Sequence, residues 1–323
     1  MSKVPSEFEL IARHFTRPTT HTRLGAGDDG ALVLPAPGME LVISTDMLVA
    51  GTHFLAGTDP EALGWKSLAV NVSDLAAMGA LPRWALLAAC LPEADEAWIA
   101  AYARGFFACA STFGVDLIGG DTTRGPMNFC VSIFGEVLPG QALLRSGAAP
   151  GDEIWVSGAP GRAALGLAHL QGRCRLDEPA LAECLTALHR PQPRLSLGLA
   201  LTGLASAAID VSDGLLADLG HILERSGVAA TVHADRLPDL AMGVCPSDPV
   251  LARQCLLAGG DDYELVFSAP LAGHNAIMDL AGALGLALSC IGSITDEGSG
   301  ELTLLDAEHN SLPLPRRGFD HFA

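Results

Sequence analysis

Residues 25–33 read GAGDDGALV, placing the adjacent carboxylates Asp28 and Asp29 between glycines just before an apolar run. The same grammar recurs in LIGGDTTRG at 117–125, IDVSDGLLADLG at 209–220 and LLAGGDDYEL at 256–265. One such turn is ordinary, because Gly and Asp both favour turns. Asp213 or Ser212 could be only an N-cap, and GGDD only a helix end followed by a solvated turn; four repetitions at element ends call for a common cause. Two more polar groups join them. MELVISTDML at 39–48 ends in Ser44, Thr45 and Asp46, and Ser67, Asn71, Asp74 and Met78 recur at i, i+4, i+7 and i+11 among Leu63, Leu68, Val70, Val72, Leu75 and Ala76. That spacing puts the four on one helix face. An unpaired carboxylate buried there is costly or takes up a proton until neutral, so Asp74 is expected to meet a cation; the other reading open to periodicity is a solvent-facing stripe.

Lysine does not supply the cation. The chain has only Lys3 and Lys66, neither in a GxxxxGK[ST] loop, and it carries no HRD or DFG set of the protein-kinase type. Hard Mg²⁺ ions held by oxygen are the counter-charge this composition suits, with Asp28, Asp29, Ser44, Thr45, Asp46, Asp74, Asp121, Asp210 and Asp213 as the available donors. Glycines beside them let backbone amides approach phosphate oxygens.

The elements that must position these groups follow from the pattern. Phe8, Ile11, Ala12 and Phe15 predict an opening amphipathic helix, and 39–48 a strand. Asp59, Pro60 and Glu61 start a helix that runs to about Gly79. A helix over 95–113 precedes the strand VDLI and a turn at GGD. LPGQALLRSGAAPGDEIWVSGAPG is rich in glycine and proline, which places a domain boundary near residue 147 and divides the chain into 1–147 and 148–323. Beyond it, helices are expected near 193–204, 214–226, 248–258 and 270–284, and strands near 207–211, 229–234, 263–268 and 288–294. The fold class is α/β (α+β) in two domains.

Composition sets the limits. With 323 residues, 49% hydrophobic, the chain can bury a sizeable core. Its formal net charge of -18 repels nucleic acid and anionic membranes, so neither is an expected partner. No apolar run reaches the roughly 18 residues of a membrane span, and Glu7 and Glu9 stand where a signal peptide would be apolar; the expected location is the cytoplasm. The eight cysteines form no CxxC and the ten histidines no HExxH, which leaves reduced core thiols and no zinc signature.

Taken together, GAGDDGALV, STDMLVAGTHF, LAVNVSDLAAMGA, GGDTTRG, the arginine of LLRSGAAPGD, DVSDGLLADLGHI, GGDDYEL and the terminal GFDHF resemble the thiamine-monophosphate kinase family, over almost the whole chain and in order. That family belongs to the superfamily of aminoimidazole ribonucleotide synthetase. The resemblance implies an N-terminal α/β domain whose strands pair across a homodimer, and a C-terminal α/β domain that closes a cleft. It implies that Asp29, Ser44, Thr45, Asp46, Asp74, Asp121, Asp210 and Asp213 hold several Mg²⁺ ions. Gly120, Asp121, Arg145 and Ser212 would contact ATP, and His53, Asp261 and Phe319 thiamine monophosphate. The catalytic set would be Asp46, Asp74, Asp121 and Arg145. An aromatic contact to the nucleotide falls to Tyr102 or Phe106. The implied reaction is direct, in-line, Mg-dependent transfer of the γ-phosphoryl of ATP to thiamine monophosphate, the last step of thiamine diphosphate synthesis. The rival readings are another ATP-dependent enzyme of the superfamily and a non-catalytic metal- and nucleotide-binding regulator.

Overall fold

The computed structural model describes residues 6–238, 245, 247–314 and 318. The chain forms two compact units, Met1–Leu75 with Ala80–Gly140, and Ala76–Gly79 with Gln141–Ala323. Both mix helix and sheet.

The first unit opens with α1 (Glu7–Leu10), which continues as a π turn over Ile11–Phe15. Leu10 is buried, Ile11 and Phe15 are half-buried with the Phe15 ring edge-on to that of Tyr102 at 6.4 Å, and Phe8 and Ala12 are exposed, so the apolar face matches the predicted one only in part. A two-stranded ribbon, β1 (Thr22–Leu24) and β2 (Leu32–Val33), flanks the GDD turn. The main sheet has the order β3 (Glu40–Val49), β6 (Asn128–Val137), β4 (Leu81–Leu91) and β5 (Asp116–Arg124). Only the β4–β5 pair is parallel.

α2 (Pro60–Ala77) begins as its sequence predicts, with the Asp59 carboxylate accepting from the Ala62 amide at 2.8 Å. α3 (Glu96–Phe113) meets it backbone to backbone: a Cβ on Gly64 would lie 1.9 Å from the Tyr102 carbonyl oxygen, and one on Gly105 1.7 Å from that of Glu61. The Tyr102 ring stacks 4.4 Å from that of Phe129, which alternates along β6 with Val131 and Ile133 to form the inner face of the sheet. The outer face is different. Leu41, Ile43 and Met47 on the edge strand β3 are 41%, 60% and 53% exposed, an apolar strip unusual for a solvated edge.

The GGD turn expected at 119–121 is not a turn. β5 runs through it to Arg124, paired with Leu87 to Leu91 of β4. Gly120 is required by that pairing, because a Cβ there would stand 1.8 Å from the Leu87 carbonyl oxygen.

The second unit is built on a seven-stranded sheet. In chain order its elements are β7 (Glu153–Ser157), α4 (Arg162–Leu170), α5 (Ala180–His189), α6 (Leu195–Leu201), β8 (Ala207–Asp210), α7 (Leu215–Ser226), β9 (Ala229–His233), α8 (Pro249–Ala258), β10 (Leu265–Ala269), α9 (His274–Leu284), β11 (Leu288–Thr295), β12 (Leu302–Leu305) and β13 (Ser311–Leu312). The strand order is β13-β12-β9-β11-β7-β10-β8, and all neighbours are antiparallel except β12 and β9. Alternation splits the core in two. Ile154, Val156 and Val266 pack with Leu219 and Ile222 of α7, whereas Trp155 and Phe267 pack with Leu201 of α6 and Ile277 of α9. The glycine- and proline-rich stretch after residue 147 thus contains a central strand, EIWVS, buried on both faces. β7, α4 and α5 were not among the expected elements.

Candidate active site

In the first unit, β3 passes beneath α2. The polar stripe of α2 does find partners: Ser67 Oγ donates to the Leu63 carbonyl at 2.8 Å, and Asn71 Nδ2 to the Ser67 carbonyl at 3.1 Å. The Asn71 carbonyl oxygen accepts the Asp46 amide at 3.2 Å, and Asp74 Oδ2 accepts from Ser44 Oγ at 2.5 Å. The stripe therefore faces the strand that carries Ser44 and Asp46, not bulk solvent. It gathers Ser44, Asp46 and Asp74, all oxygen donors, on the inner side of β3.

Thr45 is not gathered with them. Alternation turns it to the outer face, where Oγ1 donates to the Val131 carbonyl at 3.0 Å and lies 3.1 Å from Ser132 Oγ. Asp121 belongs to the same outer face by register, through Ala88 of β4, Cys130 of β6 and Met47 of β3, and it is exposed.

His53 lies in the turn after β3. Its Nδ1 accepts the Val49 amide at 2.9 Å, so the ring proton sits on Nε2 and that edge is a donor. Asp28 and Asp29 are both exposed, and the Asp29 amide donates to Asp28 Oδ1 at 3.0 Å. The segment leading to that turn is anchored by a carboxylate that sequence reasoning passed over. Asp116, buried at the start of β5, accepts the Thr20 and His21 amides at 2.9 and 2.6 Å and the Thr22 hydroxyl at 2.8 Å. Tyr102 and Phe106, the two candidates for a nucleotide contact, are both buried inside the aromatic core of this unit, at 1% and 0% exposure. Burial pushes the Tyr102 hydroxyl well above its ordinary range, with Ser67 pulling weakly the other way.

In the second unit the DVSDG and GGDDY segments form paired turns. Asp210 ends β8, and the chain then passes through Ser212 and Asp213 into α7. Asp218, in the first turn of α7, receives the amides of Ser212, Asp213 and Gly214 on one carboxylate oxygen at 3.1, 3.1 and 3.0 Å. Burial raises its carboxyl to about 7, against the three amides, which lower it. The second turn lies directly on the first: Asp261 N–H donates to the Ser212 carbonyl at 2.8 Å and Tyr263 N–H to that of Val211 at 2.9 Å. A Cβ on Gly260 would stand 2.3 Å from the Ser212 carbonyl oxygen, so this glycine is needed for the two turns to touch. Asp262 points elsewhere. It accepts the Gly161 and Ala163 amides at 2.5 and 3.1 Å at the start of α4, and burial holds its carboxyl well above the usual carboxylate range.

Arg145 is exposed at the other end of these elements. Its carbonyl accepts from Ser226 at the C-terminal end of α7 at 3.2 Å, whereas Ser212 and Asp213 precede that helix. Phe319 lies outside the described residues. Among the described residues, no three or more His, Cys, Asp and Glu side chains are gathered so as to hold a metal ion, and no helix is long and apolar enough to cross a membrane.

Comparison with known proteins places this arrangement. The family described as AIR synthase related protein matches with its N-terminal domain over residues 27–137 and its C-terminal domain over residues 149–305. Thiamine-monophosphate kinase of Salmonella typhimurium is 46% identical over 324 aligned positions, covering 98% of each chain. The crystal structure of thiamine-monophosphate kinase from Stenotrophomonas maltophilia K279a is 47% identical, covers 91% of this chain and 94% of its own, and superposes with a TM-score of 0.82. A structure of AaThiL complexed with AMPPCP and TMP is 28% identical, covers 98% and 97%, and has a TM-score of 0.78. Likeness of this extent, over both halves, means that the chain belongs to the thiamine-monophosphate kinase family.

Proposed function

We infer that this chain phosphorylates thiamine monophosphate to thiamine diphosphate with ATP as the phosphoryl donor. The observation that carries the reading is full-length identity of 46% to a thiamine-monophosphate kinase. An acceptor phosphate oxygen attacks the γ-phosphorus, the bond from that phosphorus to the β,γ-bridging oxygen breaks, and ADP leaves with the electron pair. The acceptor is largely ionised at neutral pH, since a phosphate monoester loses its second proton near pH 6, so the protein needs no strong general base. Its task is to bring two polyanions together and align them. The test is ADP release by purified protein with ATP, Mg²⁺ and thiamine monophosphate, thiamine or no acceptor, with mass detection of thiamine diphosphate. Product with the monophosphate alone is expected; ADP without thiamine diphosphate, or no turnover, would overturn the reading.

We propose Mg²⁺ as the metal. The donors fit it: Ser44, Asp46 and Asp74 are hard oxygen groups on one face, and Mg²⁺ is ordinarily held by one or two carboxylates, water and substrate phosphates rather than by an all-protein cage. When bound, the metal supplies neutralisation and alignment of the phosphates. Asp29, Asp210 and Asp213 are further proposed metal donors, Thr45 and Asp121 form a separate proposed group on the outer face of the sheet, and Gly120, Asp121, Arg145 and Ser212 are the proposed nucleotide contacts. His53 offers its Nε2–H as a donor to the acceptor, an assignment supported by the bond that fixes its tautomer. Asp261 suits the cationic or amino-bearing rings of thiamine better than its phosphate, because a carboxylate repels an anion. In this division residues 1–147 carry most of the proposed metal and nucleotide groups, His53 and the subunit-pairing face, and residues 148–323 add Asp210, Ser212, Asp213 and Asp261.

A second copy of the chain is the proposed cover for the outer face of the four-stranded sheet, supported by the apolar strip Leu41, Ile43 and Met47 on an edge strand. Light scattering should give two chain masses for the natural protein and one for an Ile43→Glu/Met47→Glu variant. A natural protein that is monomeric at micromolar concentration would end this proposal.

A further inference from the structure

Asp261 and Tyr263 stand in the left-handed backbone region, with φ of 76° and 55°. A bulky side chain rarely rests there, so the conformation must be held by its surroundings. The two amide bonds to Ser212 and Val211 hold it. The alternation that results sends Asp262 to the start of α4 and leaves Asp261 and Tyr263 on a common side. There the Tyr263 hydroxyl donates to Asp261 Oδ1 at 3.0 Å. The tyrosine is itself 7% exposed, so packing fixes the donor.

We propose that Tyr263 is a positioning residue for the acceptor substrate: its hydroxyl, donating to Asp261 Oδ1, holds the Asp261 carboxylate in a single orientation toward the cationic ring system of thiamine monophosphate. The inference rests on the kinase reading above. A carboxylate free to rotate would have to be ordered each time the acceptor bound, whereas one already clamped is preorganised. The hydroxyl acts through Asp261 and has no part in ATP binding, which makes its contribution separable.

Steady-state kinetics on the natural protein, Tyr263→Phe, Asp261→Ala and the double variant test this. Tyr263→Phe keeps the buried ring and removes one oxygen. It should raise KM for thiamine monophosphate about tenfold, the usual effect of losing a hydrogen bond to a charged group. Its kcat, its KM for ATP and its unfolding midpoint should stay close to those of the natural protein. In the Asp261→Ala background the same change should do nothing further, because the group it acts through is gone. An unchanged KM for thiamine monophosphate, an equal rise in both KM values, or a full additional effect on top of Asp261→Ala would each overturn the proposal. Failure of the underlying reading is a different result: the natural protein would itself make no thiamine diphosphate, and the proposal would fall with it.

Discussion

Asp74→Asn is expected to lower kcat at least about a thousandfold, the scale on which removal of a charge-stabilising group acts in a site of this kind, while the unfolding midpoint stays within a few degrees of the natural protein. The two halves of that expectation have separate causes. The structural job of Asp74 is to accept the Ser44 hydroxyl, and an asparagine carbonyl oxygen can accept the same bond in the same place. Its electrostatic job is to contribute one full negative charge to the oxygen donors on the inner side of β3, and an amide contributes none. A variant that folds normally and does not turn over therefore isolates the charge. Raising Mg²⁺ should not restore full activity, since the variant lacks the carboxylate that would hold the cation in place against the phosphates, and the remaining neutral donor would hold it differently. Near-normal turnover of Asp74→Asn at ordinary Mg²⁺ would sink the metal assignment while leaving the family untouched.

The cluster between α2 and β3 was more legible in the sequence than the scaffold around it, and the reasons are physical. The α2 stripe stood out because polar residues at helical spacing interrupt an otherwise apolar segment, and Asp59 with Pro60 marked where that helix begins. β4, LPRWALLAACL, gave no such signal. It lies between β6 and β5, and its nearly continuous apolar run has neither the alternation of a half-buried strand nor the period of a helix. EIWVS was hidden in the same way, with turn-forming residues on both sides that read as a linker. At Gly120 the glycine signal was real but its meaning was ambiguous: composition suggests a turn, whereas the residue is needed so that β5 can approach the backbone of β4. The carboxylates that hold the turns were missed for two reasons. Asp116 meets partners 94 to 96 residues away, which no local pattern reveals. Asp218 was open to inference, since an acid in the first turn of a helix is well placed to collect the amides of the loop before it.

Glu264 supplies the largest expected effect on stability. It is the glutamate of GGDDYEL, 7% exposed, and it binds Arg194 through two bonds of 2.6 and 2.5 Å while Ser157 Oγ donates to it at 2.5 Å. Its own carbonyl accepts the Val211 amide at 2.8 Å, which ties the pair to the turn that leads to Ser212. Replacing Arg194 with methionine keeps much of the side-chain volume but leaves a buried carboxylate with one neutral donor. Breaking a buried pair from one side costs about 3–5 kcal/mol, because the remaining charge is uncompensated. Arg194→Met should therefore lower the stability of the second unit by about that amount in denaturant unfolding. Adding Glu264→Gln to it should recover a substantial part, since an amide no longer buries a charge yet still accepts from Ser157. A loss below about 1 kcal/mol for Arg194→Met would class the pair with solvent-screened surface bridges, and a double variant no better than the single would show that packing of the arginine, not the charge it neutralises, holds these two turns together.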